Sequence, residues 1–213
     1  MLIKNLIRWS GMAAMIGAFL MMVATVVPDI LIPGDELTSV VALSGAWIPL
    51  WALFLIGLIL IALGLVGLYA RQAERAGVFG LVAFLVAFTG VALALGLAWT
   101  FLFTVPSLAE AAPAFLDNEE IPGPLALAFP LTFILFDGGW LLFGLATALA
   151  KVFPRWAGIL LMIGAVLDFS SNFLPISFPI GTVLLGAALI WLGYLLWSEH
   201  RQTAIRPEAT VEY

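Results

Sequence analysis

Residues 47–103 read WIPLWALFLIGLILIALGLVGLYA, then RQAERAG, then VFGLVAFLVAFTGVALALGLAWTFLF. Two apolar runs, 47–70 and 78–103, flank a short polar patch, and neither run contains a charged residue. A helix rises about 1.5 Å per residue, so either run is long enough to cross a hydrocarbon core of about 30 Å. Arg71 and Arg75 lie between them. Short loops that keep positive charge stay on the cytoplasmic side, so the stretch predicts a transmembrane hairpin with its tight turn inside.

The same punctuation extends in both directions. Spans are expected at 11–30, 47–70, 78–103, 124–150, 156–175 and 179–198, followed by a short cytoplasmic tail, 199–213. Lys4, Arg8, Arg71, Arg75, Lys151, Arg155, Arg201 and Arg206 all fall before the first span, in alternate gaps, or after the last. The other gaps hold Asp29, Asp35, Glu36, Glu110, Asp117, Glu119 and Glu120, with no base among them. The expectation is an all-α membrane protein: one domain, a six-transmembrane-helix bundle with both termini cytoplasmic. Lys4 and Arg8 could open a signal peptide, but no small-x-small cleavage pattern follows at the right place, so the first run is read as a span.

Composition agrees. The chain has 213 residues, 64% hydrophobic and 10% charged, with a mean hydropathy of +1.18; a soluble domain carries about a quarter charged residues. There is no Cys and the one His is His200, which excludes disulfides, thiolate metal sites and paired-His haem. A net charge of -5 and dispersed bases argue against nucleic acid as a partner. Two-His zinc, phosphate-loop and Gly-x-Ser-x-Gly motifs are all missing, so no catalytic residue, metal ligand or cofactor is assigned. The expected partners are the lipid bilayer and a small ligand.

Local signals add detail. Trp9, Trp47, Trp51, Trp156 and Trp197 lie near span ends, where a headgroup belt is expected. Ser107 with Glu110 forms a capping-box pattern, predicting a short interfacial helix that starts there and stops at Pro113. Asp117, Glu119 and Glu120 read as a solvated acidic loop, with a hard-cation site as the alternative. Ala14 and Ala18 on the first span, and Ala83, Ala87, Ala92 and Gly96 on the third, are small residues suited to helix contacts.

An internal echo links the first and fifth spans. Arg8, Trp9, Gly11, Met15, Ile16, Gly17, Ala18, Leu20 and Pro28 recur 147 positions later as Arg155, Trp156, Gly158, Met162, Ile163, Gly164, Ala165, Leu167 and Pro175. Gly64, Gly144 and Gly193 each precede a basic residue or His200 by seven positions. Three parallel hairpins are the expected arrangement, with duplication clearest for the first and fifth helices.

Asp137 and Asp168 are the acids deep inside spans. Asp137 lies 14 residues before Lys151 and Asp168 lies 13 after Arg155, so both sit roughly 20 Å from the inner boundary. Each costs about 2.5–3.5 kcal/mol to insert, and such a cost points to a partner, a cavity or a function. Trp140 falls on the Asp137 face, and Ser171 and Asn172 on the Asp168 face. In the echo, Met21 stands where the fifth span has Asp168, so the helix does not need an acid there. The expected site is a polar pocket between helices four and five lined by Asp137, Trp140, Asp168, Ser171 and Asn172. It would bind or move a proton, a cation or a small amphipathic molecule. The alternative is an accessory or scaffold protein whose buried acids tie helices together. A third reading is an aspartyl hydrolase, although Gly-Ala-Val-Leu-Asp at Gly164–Asp168 lacks the Gly-x-Gly-Asp element.

The segment Phe153-Pro154-Arg155-Trp156-Ala157-Gly158-Ile159-Leu160-Leu161 resembles the Pro-Arg-Trp-x-Gly start of the fifth helix in an uncharacterised family of bacterial six-helix integral membrane proteins. The resemblance implies the same layout and a bacterial plasma (inner) membrane location. It implies no catalytic or binding residue.

Overall fold

A computed structural model describes residues 2–31, 36–118, 123–171, 173–174 and 177–205. These form α1 (Leu2–Leu31), α2 (Thr38–Ala42), α3 (Trp47–Trp99), α4 (Val105–Ala111), α5 (Pro113–Leu116), α6 (Leu125–Ala150), α7 (Arg155–Ser170) and α8 (Ser177–Ile205). A π-helical stretch, Thr100–Thr104, joins α3 to α4, and no strand occurs among the described residues. Four stretches are long and apolar enough to cross a membrane: Asn5–Pro28, Trp47–Ala111, Leu125–Ala150 and Ile180–Ser198.

The second of these is not one straight rod. Gly77 has φ 58° and ψ -151°, a conformation that only glycine adopts without strain. The chain folds back there. Tyr69 and Phe84 stack with ring centroids 4.4 Å apart, although 15 residues of straight helix would separate them by about 22 Å. Further out, the Trp47 indole donates to the Phe101 carbonyl at 2.7 Å. Residues 47–76 and 78–99 are therefore antiparallel arms. The polar patch 71–77, expected as a loop, stays helical up to Gly77 itself.

The rods close into a ring. α1 packs on α3, α3 on α6, α6 on α7, α7 on α8, and α8 returns to α1. Glycines set the closest approaches. A Cβ on Gly11 would lie 2.7 Å from the Gly193 carbonyl oxygen and one on Gly193 2.6 Å from that of Gly11. Gly144 and Gly158 face each other in the same reciprocal way, at 2.8 and 2.6 Å. Gly64, by contrast, meets Ala14 of α1. The Arg8 guanidinium sits 5.9 Å above the Trp197 ring, joining the first helix to the last.

Along the ring axis, α3 turns Leu58, Ile61, Leu65, Leu68 and Gln72 inward at helical spacing, and α8 turns in Thr182, Leu185, Leu189, Leu192 and Leu196. The outside is apolar too: Phe19, Ile59, Leu63, Leu85 and Ile134 are exposed, as a lipid-facing surface requires. Of the small residues singled out above, Ala14, Ala18, Ala83 and Ala87 are buried, whereas Ala92 and Gly96 face outward.

Three local expectations are corrected. Ser107 does not open a helix; its hydroxyl donates to the Phe103 carbonyl four residues back, inside a helical run continuous from the π turn. Pro113 starts α5, where its missing N–H does no harm, rather than only ending α4. The fifth span, expected to reach 175, ends at Ser170: the Ser170 and Ser171 hydroxyls take up the Leu167 and Asp168 carbonyls and close the helix.

Candidate functional site

A cavity of about 570 Å³ lies on the ring axis in the half of the bundle away from Arg71, Lys151 and Arg155. Every long helix contributes to it. Met21, Thr25 and Pro28 come from α1, and Trp47, Trp51, Phe54, Leu97 and the neighbouring Phe101 from the folded-back pair of arms. α6 adds Phe129, Thr132, Phe133 and Phe136, α7 adds Asp168, and α8 adds Thr182 and Leu185. The exposed Glu36 and Thr38 mark its upper rim. Below it the apolar residues of the axis fill the bundle, with Leu58, Ile61, Leu65, Phe143, Leu189 and Leu192 all buried.

Aromatic rings build the wall. Trp51 stacks on Phe101 at 4.4 Å, Trp47 on Phe101 at 6.1 Å, and Phe54 meets Trp51 edge-on at 5.5 Å. Trp47 is only 9% exposed. These two tryptophans, expected in a headgroup belt, instead face the interior; Trp9 and Trp156 remain exposed at the opposite end. The π turn contributes here: its bonds run five residues on, and from Phe101 that position is Pro106, which has no N–H, so the Phe101 carbonyl is left to receive the Trp47 N–H.

The deep polar groups share one chemical character. The Thr25 and Thr132 hydroxyls donate to the Met21 and Ala128 carbonyls of their own helices. The Thr182 hydroxyl donates to Asp168 Oδ1. With their protons spent, these side chains present lone pairs to the cavity, and Asp168 adds a carboxyl. A guest is met at depth by hydrogen-bond acceptors and aromatic faces, with no Lys or Arg among the described residues of the lining.

Asp168 is held by a close crossing of α7 and α8. A Cβ on Gly181 would collide with the backbone of Asp168, so only glycine lets the helices approach enough for Thr182 to reach the carboxyl. The Asp137 side chain lies within hydrogen-bonding reach of Asp168 from the α6 side. Asp137 is 3% exposed and outside the cavity lining. Among the described residues its oxygens meet no donor other than that neighbouring carboxyl, which donates only when the pair carries a proton.

The other expected site residues are placed differently. Trp140 is fully buried beneath the cavity, edge-on to Phe136 and Phe143 at 6.1 and 6.2 Å. Its indole N–H has no partner among the described residues. Ser171 gives its hydroxyl to the end of α7 and does not line the cavity. Asn172 lies outside the described residues. The pocket expected between helices four and five is a central chamber enclosed by the whole ring, with Asp168 at its floor.

Asp117 also changes role. Its two carboxyl oxygens accept from the Ser39 N–H at 2.9 Å and the Ser39 hydroxyl at 2.7 Å. It thereby caps the first turn of α2 from 78 residues away. Glu119 and Glu120 lie outside the described residues, and no metal-binding cluster occurs among the described ones.

No protein-family model matches the chain, and no curated protein or solved structure shows significant similarity to it.

Proposed function

We propose that the protein is a six-span membrane protein that binds, and moves, a small amphipathic cation through the central chamber. The observation that carries this reading is the chamber's polarity: aromatic walls, acceptor oxygens at depth, one carboxyl at the floor and no basic residue among the described lining. Aromatic faces attract a desolvated cation, with about 2 kcal/mol available from a well-placed ring. A carboxyl in apolar surroundings then selects positive charge over neutral or negative analogues.

The fold-back at Gly77 turns the Trp47–Ala111 stretch into two crossings, and the short helix α7 adds one to the three other long apolar stretches. A count of six, with basic residues at the turns 71–77 and 151–155, supports a reading in which both termini are cytoplasmic and the chamber opens outward. The reciprocal glycine pairs Gly11–Gly193 and Gly144–Gly158 support a duplication of α1 and α7, since each helix meets the preceding outgoing helix alike. The likeness of Pro154–Gly158 to bacterial six-helix proteins supports a bacterial inner-membrane home.

A purely structural role for the acids accounts for the Thr182–Asp168 bond but leaves the chamber unexplained. Hydrolysis by a carboxyl pair needs both acids at the substrate, and Asp137 stands behind the wall. The test is equilibrium binding of radiolabelled tetraphenylphosphonium to the full chain in detergent, beside its anionic isostere tetraphenylborate. Saturable binding of the cation alone, lost in Asp168→Asn, is expected. Equal uptake of the anion, or cation binding unchanged in Asp168→Asn, refutes the reading.

A further inference from the structure

Four buried polar side chains below the chamber have atoms with no hydrogen-bond partner among the described residues: Asp137, Trp140, Thr147 and Gln72. All are 3% exposed or less. Leaving such a group unsatisfied costs about 1–3 kcal/mol, so four on one side of the chamber call for an explanation.

Their placement is ordered. Asp137, Trp140 and Thr147 follow one another down α6, and ten residues of helix carry the line about 15 Å from the carboxyl pair toward Lys151. Gln72, next to Arg71, ends the inward stripe of α3 at the same end of the bundle. Thr147 is the telling case. Thr25, Thr89, Thr100 and Thr132 each return their hydroxyl proton to the carbonyl four residues back, and Thr147 does not. Polar groups of this kind in an otherwise apolar interior are satisfied by internal water.

We propose that Asp137 exchanges a proton between the chamber's Asp168 and the basic end of the bundle, along a water file held by Trp140, Thr147 and Gln72. The proposal rests on the chamber being a cation site and adds what drives it. The carboxyl pair shares one proton between its oxygens until a cation reaches Asp168. When the cation settles on Asp168, the O–H bond of the pair breaks, and the proton passes to water and leaves at the basic end. The newly formed carboxylate balances the cation, so the net charge of the pair and its occupant does not change. Trp140 can only donate and so orients water, whereas Thr147 and Gln72 both donate and accept. The groups facing Asp137 fit this task. α7 supplies Asp168, the second arm of α3 (78–99) contains no titratable residue, and Arg155 stands 13 residues away along α7.

The experiment uses the full chain in two settings. In weakly buffered detergent solution with a pH-indicating dye, tetraphenylphosphonium should release about one proton per bound cation. Asp137→Asn should bind the cation without that release, and Asp137→Glu should restore it. In vesicles enclosing the dye, a potassium–valinomycin potential should drive proton entry through the wild type. That entry should be lost in Asp137→Asn and slowed about tenfold or more in Thr147→Val/Gln72→Leu. Cation binding by the wild type with no proton release overturns the proposal. If no cation binds at all, the functional reading fails separately, and proton entry equal in wild type and Asp137→Asn then overturns this one as well.

Discussion

Replacing Gly17 by alanine tests the packing of the ring more sharply than any change at the chamber. The added Cβ would lie 2.6 Å from the Gly57 carbonyl oxygen and 2.8 Å from the Ile61 nitrogen, both backbone atoms that cannot swing aside. Ordinary contact begins at 3.4 Å, so α1 and the first arm of α3 must part by about 0.8 Å at this crossing. Overpacking of that kind costs about 1–3 kcal/mol. The control is Gly96→Ala, which meets nothing within 4 Å and should gain up to about 1 kcal/mol from helix propensity. Reversible unfolding in mixed micelles, followed by circular dichroism, gives both values. Gly57→Ala should behave like Gly17→Ala, and the double variant should lose less than the sum, because helices already parted accept the second methyl more easily. A Gly17→Ala protein as stable as wild type would refute the close crossing, and with it the arrangement that encloses the chamber.

Other outcomes follow from particular contacts. Trp51→Ala should weaken tetraphenylphosphonium binding by about 2- to 30-fold, the range for one cation–π face, as read by equilibrium dialysis; unchanged affinity would remove Trp51 from the wall. Thr182→Val keeps the shape of the side chain but removes the donor to Asp168. It should lower cation affinity while Thr182→Ser retains it, a contrast that a packing effect would not produce. Asp117→Ala should cost about 1–2 kcal/mol locally by uncapping α2, visible as faster amide exchange at Ser39 and its neighbours with the rest unchanged. The natural chain has no cysteine, so single replacements at Arg71, Lys151 and Glu110 can be labelled from one side of sealed vesicles. Arg71→Cys and Lys151→Cys should react from the same side and Glu110→Cys from the other; any other pattern defeats the six-span topology.

The helical class and the level of the two acids are legible in the sequence because both rest on local spacing. Asp137 and Asp168 are counted from the same tight turn, so their closely matched offsets from Lys151 and Arg155 translate directly into similar height on neighbouring antiparallel helices. Thr182 is not legible in that way. Its meeting with Asp168 depends on α7 stopping at Ser170, five residues before the apolar run suggests, and on Gly181 letting α8 approach. Trp47 and Trp51 mislead because a tryptophan at a span end looks the same whether it faces headgroups or a cavity. Only the fold-back at Gly77, which lays Phe101 against them, decides between the two. Asp117 is illegible for a similar reason: nothing local announces a cap for a helix 78 residues earlier. The chamber belongs to the ring as a whole, and sequence periodicity is silent about which helix adjoins the last.

That last adjacency, α8 against α1 through Gly11 and Gly193, makes the order of the chain circular. A gene rearranged to begin at Val78 and end at Gly77, with the old tail spliced to the old start, would encode the same circle of neighbours. Its new ends would open at a turn on the same end of the bundle as Arg8 of α1 and Trp197 of α8, so the direction of every crossing would be kept. The order in which the helices follow one another is then incidental to this architecture, and such permuted genes should still yield a protein that assembles.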